Sequence, residues 1–227
     1  MSDKRITVLL AEDHTIVREG FRALLELDDD IEVVGEAQDG RQAVAMVGKL
    51  RPSVVVMDVA MPMLNGLEAT RQILESFPST RIVILSSHTD EAYIKDATES
   101  GAVGFLLKQA SAGDLSESIR EVNKGNVYFC PFMSKRLPAL RQKSLNRIGR
   151  SNPRRCGLTS REVEVLQLIA EGKANKETAV VLGIGVKTIE KHREQLMQKL
   201  DIHDTAGLTR YAISSGVIES VVQVTII

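Results

Sequence analysis

The chain has 227 residues, 43% of them hydrophobic and 26% charged, with a formal net charge of −1 and two cysteines; this is an ordinary globular composition, which excludes disordered, collagen-like and low-complexity classes. No apolar run approaches the ~18 residues of a membrane span, no signal-peptide pattern opens the chain, and Cys130 and Cys156 lack a second pair or a histidine at ligand spacing, so a cytoplasmic protein with free thiols is expected. The near-neutrality hides an asymmetry: residues 1–124 carry 13 Lys and Arg against 21 Asp and Glu, a net of −8, while residues 125–227 carry 16 against 9, a net of +7.

Along the first half, short apolar β-branched runs at about 6–11, 31–35, 54–57, 82–85 and 103–107 alternate with amphipathic stretches. Runs that are apolar on both faces belong in a parallel sheet covered by helices on each side, and right-handed crossovers then lead to a doubly wound five-stranded α/β domain over 1–124. Ligands of such sheets bind beyond the carboxyl ends of the strands. At those ends stand Glu12 and Asp13, then Asp58, then Ser86 and Ser87, then Lys108. Three carboxylates gathered together repel one another unless a cation neutralises them, so the cluster implies a hard divalent metal, and Mg2+ suits oxygen ligands shared with a phosphate. The bland reading is that strand-end carboxylates and Ser86 merely cap the following helices.

Residues AED at 11–13, MDVAMPMLNG at 57–66, Ser86 and GFLLK at 104–108 resemble the receiver domain of two-component response regulators. The resemblance implies that Asp58 accepts a phosphoryl group from a sensor histidine kinase, with Mg2+ held by Glu12, Asp13, Asp58 and the main-chain carbonyl of Ala60. It makes Lys108 the cation that neutralises phosphoryl oxygens, Ser86 the switch hydroxyl, Phe105 the switch aromatic, and Ala60 with His88 the pair that positions attacking water. Phe105 is equally readable as a core phenylalanine, and Glu12 stands where many receivers carry aspartate.

Residues 134–155 hold eight basic residues and no acid, with two prolines and a glycine; a basic linker is expected over 125–154, either a solvated tether or an arm that contacts phosphates. Beyond it helical periodicity takes over. Thr159 with Glu162 forms a capping box, Val163, Leu166, Leu168 and Ile169 face a core, and Gly172 ends the helix. A short helix from Asn175, a GIG turn at 183–185 and a basic helix at 186–199 follow helix-turn-helix grammar. A small helical dimerisation module is the alternative. His192 and His203 are too far apart to suggest a metal.

The segment LTSREVEVLQLIAEGKANKETAVVLGIGVKTIEKHREQLMQKLDI resembles the LuxR-type effector domain over 155–218, and a receiver followed by it has the NarL/FixJ architecture. The resemblance implies a recognition helix with Glu190, Lys191 and Glu194 facing bases, Lys187, Thr188, Arg193 and Lys199 at or near the DNA, and a last helix dimerising through Leu208, Tyr211 and Ala212. A tail follows at 219–227. The expected function is phosphorylation-controlled transcription regulation, with promoter DNA, a kinase, a second copy when phosphorylated and RNA polymerase as partners, and no membrane. A metal-dependent phosphatase or other flavodoxin-like enzyme carrying a DNA-binding tail is the rival reading, opposed by Val59 and Ala60 where a second acid would follow the nucleophile, so no enzyme is expected. A receiver that serves only as a dimerisation scaffold is another. The opposite charges of the halves also permit the acidic half to mask the basic one, against a simple flexible tether.

Overall fold

A computed structural model describes residues 5–87, 91–130 and 157–219. The chain forms two compact units, 1–153 and 154–227.

In the first unit, β1 (Ile6–Ala11), α1 (Thr15–Leu25), β2 (Ile31–Ala37), α2 (Gly40–Leu50), β3 (Val54–Asp58), α3 (Gly66–Ser76), β4 (Arg81–Ser86), α4 (Glu91–Ser100), β5 (Gly104–Leu107), α5 (Ala112–Asn123) and β6 (Tyr128–Phe129) follow in order. The strands lie in the order β2-β1-β3-β4-β5-β6, every pair parallel. Helices α1 and α5 touch each other, and α3 touches both α2 and α4, so the sheet is covered on two faces. The doubly wound architecture is as expected, with one strand more. Tyr128 and Phe129 fall in the stretch read as linker, yet Tyr128 N–H bonds Val103 O at 2.9 Å and Cys130 N–H bonds Phe105 O at 3.1 Å. Two residues are too few for periodicity to register; what recruits them is the unpaired edge of β5 and the stacking of Phe129 on Phe105, with ring centroids 4.7 Å apart.

The central strand β3 is buried along its whole length, as a strand between two helical layers must be. Two glycines permit close approach next to it. A Cβ on Gly66 would lie 1.8 Å from the carbonyl oxygen of Asp58, and one on Gly40 would lie 2.1 Å from that of Leu64. The loop between β3 and α3 therefore folds tightly back on the end of the strand, and Met63 within it takes φ 66°, a left-handed conformation that costs a β-carbon residue on the order of 1 kcal/mol.

The second unit is all helical: α6 (Ser160–Ala170), α7 (Asn175–Leu182), α8 (Val186–Leu200) and α9 (Thr205–Ser214). Thr159 Oγ1 accepts from the Glu162 amide and the Glu162 carboxylate accepts from the Thr159 amide, the capping box legible in the sequence. Gly172 then takes φ 83° and ends the helix. Helix α6 is buried from Glu162 to Ile169 because α7, α8 and α9 all pack on it. Within the linker, residues 131–154 lie outside the described residues, as do Cys156, His88 and tail residues 220–227.

Candidate functional site: an acidic strand-end cluster and a helix-turn-helix

The carboxyl ends of β1, β3, β4 and β5 bring the sequence candidates together. Glu12 follows β1 directly, Asp58 closes β3, Ser86 closes β4 and Lys108 follows β5. Lys108 Nζ lies 2.8 Å from Glu12 Oε2 and 2.9 Å from Asp58 Oδ2. Glu12, at a position where shorter aspartate is common in receivers, is thus long enough to share the ammonium with Asp58. Both carboxylates are buried, whereas the Asp13 side chain is partly open to solvent.

Burial, then the charge of Glu12, raise the pKa of Asp58 from 3.8 to about 7 against the pull of Lys108. Burial also works against the charge of Lys108, but Asp58 and Glu12 outweigh it and its pKa is raised. Three carboxylates and one ammonium leave two negative charges, which a divalent cation would balance; oxygen donors on Glu12, Asp13 and Asp58 fit a hard cation. His14, not singled out from the sequence, joins this edge: its Nδ1 is 3.0 Å from Glu12 Oε1 and 2.9 Å from Asp13 Oδ1, and the Glu12 contact, then Asp13, raise its pKa. Ala60 sits half-buried in the loop after β3.

Phe105 is 2% exposed and points into the core, stacked on Phe129. Of the two readings of Phe105, packing is what this conformation displays. A cavity of about 10 Å³ beside it is lined by Ser86, Tyr93, Ile94 and Val59 among others, so Ser86 and Phe105 border one small space.

In the second unit, Gly183 caps α7 at φ 62° and turns the chain into α8. Lys187, Thr188, Glu190, Lys191 and Glu194 are exposed along α8, whereas Ile189 and Leu196 are buried. Arg193 and Lys199 also make contacts within the unit. Arg193 Nη1 donates to Asn175 Oδ1 at 3.3 Å and Nη2 to Thr205 Oγ1, tying α8 to α7 and α9; Lys199 Nζ pairs with buried Glu162 at 2.8 Å. Both hold the helices together. Of the three residues expected at a dimer contact, Leu208 and Ala212 are 0% exposed on α9, which packs on α6, and a side chain enclosed in its own core presents no surface to a second copy. Tyr211 is half-buried, while Arg210 and Ile213 face outward.

Residues 8–120 match the response regulator receiver domain and residues 157–212 match the luxR family of bacterial regulatory proteins. The oxygen regulatory protein NreC of Staphylococcus carnosus is 38% identical over 218 residues, covering 93% of this chain and 99% of the relative. The transcriptional regulatory protein LiaR of Bacillus subtilis is 38% identical over 208 residues, covering 91% and 96%. Among solved structures, RcsB from Salmonella enterica serovar Typhimurium bound to promoter P1flhDC in the presence of phosphomimetic BeF3- is 28% identical with a TM-score of 0.56, covering 93% of this chain and all of that one. With a receiver whose strand ends gather acids around a lysine, joined to a LuxR-type helix-turn-helix, the chain belongs to the LuxR-family two-component response regulators.

Proposed function

We propose that Asp58 is the phosphoacceptor and that its phosphorylation by a sensor histidine kinase controls promoter binding by α8. The observation that carries this is Lys108 held between Glu12 and Asp58 at 2.8 and 2.9 Å: a buried carboxylate at the switch-facing end of the central strand with its counter-cation already in place. A carboxylate oxygen of Asp58 attacks phosphorus in line as the bond to the donor nitrogen breaks, and an acyl phosphate results. Lys108 offsets charge on the phosphoryl oxygens, and the Ser86 hydroxyl donates to one of them. Glu12, Asp13, Asp58 and the Ala60 carbonyl would hold Mg2+, which supplies further neutralisation of phosphoryl charge. The acyl phosphate adds close to two negative charges beside Ser86 and the cavity it shares with Phe105, and reorganisation there is the switch.

In the effector unit, Glu190, Lys191 and Glu194 face bases, Glu accepting from cytosine N4, while Lys187 and Thr188 contact the backbone. The outward face of α9 at Arg210 and Ile213 replaces Leu208 and Ala212 as the dimerisation surface, and RNA polymerase is a further partner. Such a regulator acts in the cytoplasm; no described helix is long and apolar enough to cross a membrane. The test is labelling by acetyl phosphate in Mg2+: wild type is labelled and Asp58→Asn is not, with DNA affinity rising only in the labelled protein. Labelling that survives in Asp58→Asn overturns the assignment.

A further inference from the structure

Arg18 is 5% exposed within α1, and a guanidinium is tolerated at such depth only where its donors are satisfied. Its side chain runs back toward the start of the helix, the direction helical side chains take. There Nη1 donates to the main-chain carbonyl of Glu12 at 2.7 Å and Nε donates to Glu36 Oε2 at 2.9 Å. From the other side, the Glu12 amide donates to the Ala37 carbonyl at 3.0 Å. Glu36 precedes Ala37 on β2 and is itself gripped by Arg22 Nη1 at 2.6 Å. The backbone of Glu12 is therefore anchored at both its amide and its carbonyl to β2, directly in one case and through Arg18 and Glu36 in the other.

We propose that Arg18 is a positioning residue for the divalent-cation site. It reaches neither the cation nor the phosphoryl group; its bond to the Glu12 carbonyl fixes the peptide that leads from Glu12 into Asp13, so that two consecutive carboxylates face the end of β3 together. Consecutive residues in an extended chain point to opposite sides, and bringing both to one edge requires the chain to turn at this peptide. Glu12 is also held through its side chain, by Lys108 and by the His14 amide at 3.2 Å, and the Asp13 side chain meets His14 Nδ1 at 2.9 Å. The proposal rests on reading Glu12, Asp13 and Asp58 as the cation site.

The test is cation affinity of the full-length protein, titrated with Mn2+ by electron paramagnetic resonance because the chain has no tryptophan to report binding. Groups that orient ligands from behind typically contribute 10–100-fold to affinity, so Arg18→Met is expected to weaken Mn2+ binding about tenfold, Arg18→Lys to recover part of this through one retained donor, and Glu36→Gln to weaken it about threefold. Labelling by acetyl phosphate should fall at low Mg2+ and return toward the wild-type rate when Mg2+ is raised, which a merely structural loss would not do. Folded Arg18→Met with wild-type Mn2+ affinity overturns the proposal; where that variant fails to fold, Glu36→Gln decides by the same criterion. Asp13→Asn serves as the reference. If it leaves Mn2+ affinity unchanged, the cation-site reading itself fails and the proposal with it, a result distinct from failure of Arg18→Met alone.

Discussion

Asp58→Asn removes a charge that the fold, without a cation, holds at a cost. The carboxyl group of Asp58 titrates at about 7 in the folded chain against 3.8 as its ordinary value. Because the folded state binds this proton more tightly than the unfolded one, ionisation is unfavourable to folding: between roughly pH 4 and pH 7 stability falls as pH rises, and above that window the full cost is carried. At about 1.36 kcal/mol per pKa unit the cost is on the order of 4 kcal/mol, already net of the attraction of Lys108, which keeps Glu12 as a partner at 2.8 Å in the variant. Asparagine has nearly the same shape and no charge. Urea unfolding followed by far-ultraviolet circular dichroism, with chelator present, should therefore show Asp58→Asn more stable than wild type by about 1–4 kcal/mol near pH 8, and the gap should shrink through pH 5 and close only near or below pH 4. Added Mg2+ should narrow the gap at pH 8 by stabilising the wild type. A variant equal to or less stable than wild type at pH 8 without metal would refute the reasoning, since it would mean that the carboxylate is not strained by its surroundings.

Leu208→Ala should lower the stability of the helical unit by about 2–5 kcal/mol, the cost of a cavity in a packed core, while leaving self-association of the folded, phosphorylated protein intact; sedimentation together with thermal unfolding reads both. Gly66→Ala must displace the β3–α3 loop, since its Cβ would meet the Asp58 carbonyl at 1.8 Å, and loss of acetyl phosphate labelling together with a lower melting temperature is expected. Lys187→Ala should weaken binding to all DNA sequences alike and flatten the dependence of log affinity on log salt by about one unit, whereas Lys191→Ala should change the preferred sequence in a binding-site selection.

Much of the receiver fold and its strand-end site is legible in the amino-acid sequence by itself. β-branched runs that are apolar on both faces can be satisfied only inside a parallel sheet, and the chemistry-bearing residues Asp58, Ser86 and Lys108 follow those runs immediately, so their convergence is a consequence of topology. The capping box at Thr159 and the glycine-ended short helix ahead of α8 are local, fixed by backbone hydrogen bonding within a few residues. What sequence could not decide depends on partners far along the chain. Helical spacing makes Leu208 and Ala212 an apolar face of α9, but whether that face meets α6 or a second copy is settled only by where α6 lies. That Arg193 and Lys199 also tie helices together emerges only when α7, α9 and Glu162 come within reach. Phe129 joins the sheet because β5 leaves an edge open, and Arg18 looks like any helical arginine in the sequence, since the carbonyl it holds is a backbone atom with no residue type to announce it. Periodicity reports that a side chain is apolar or charged; only the tertiary structure supplies the group opposite it.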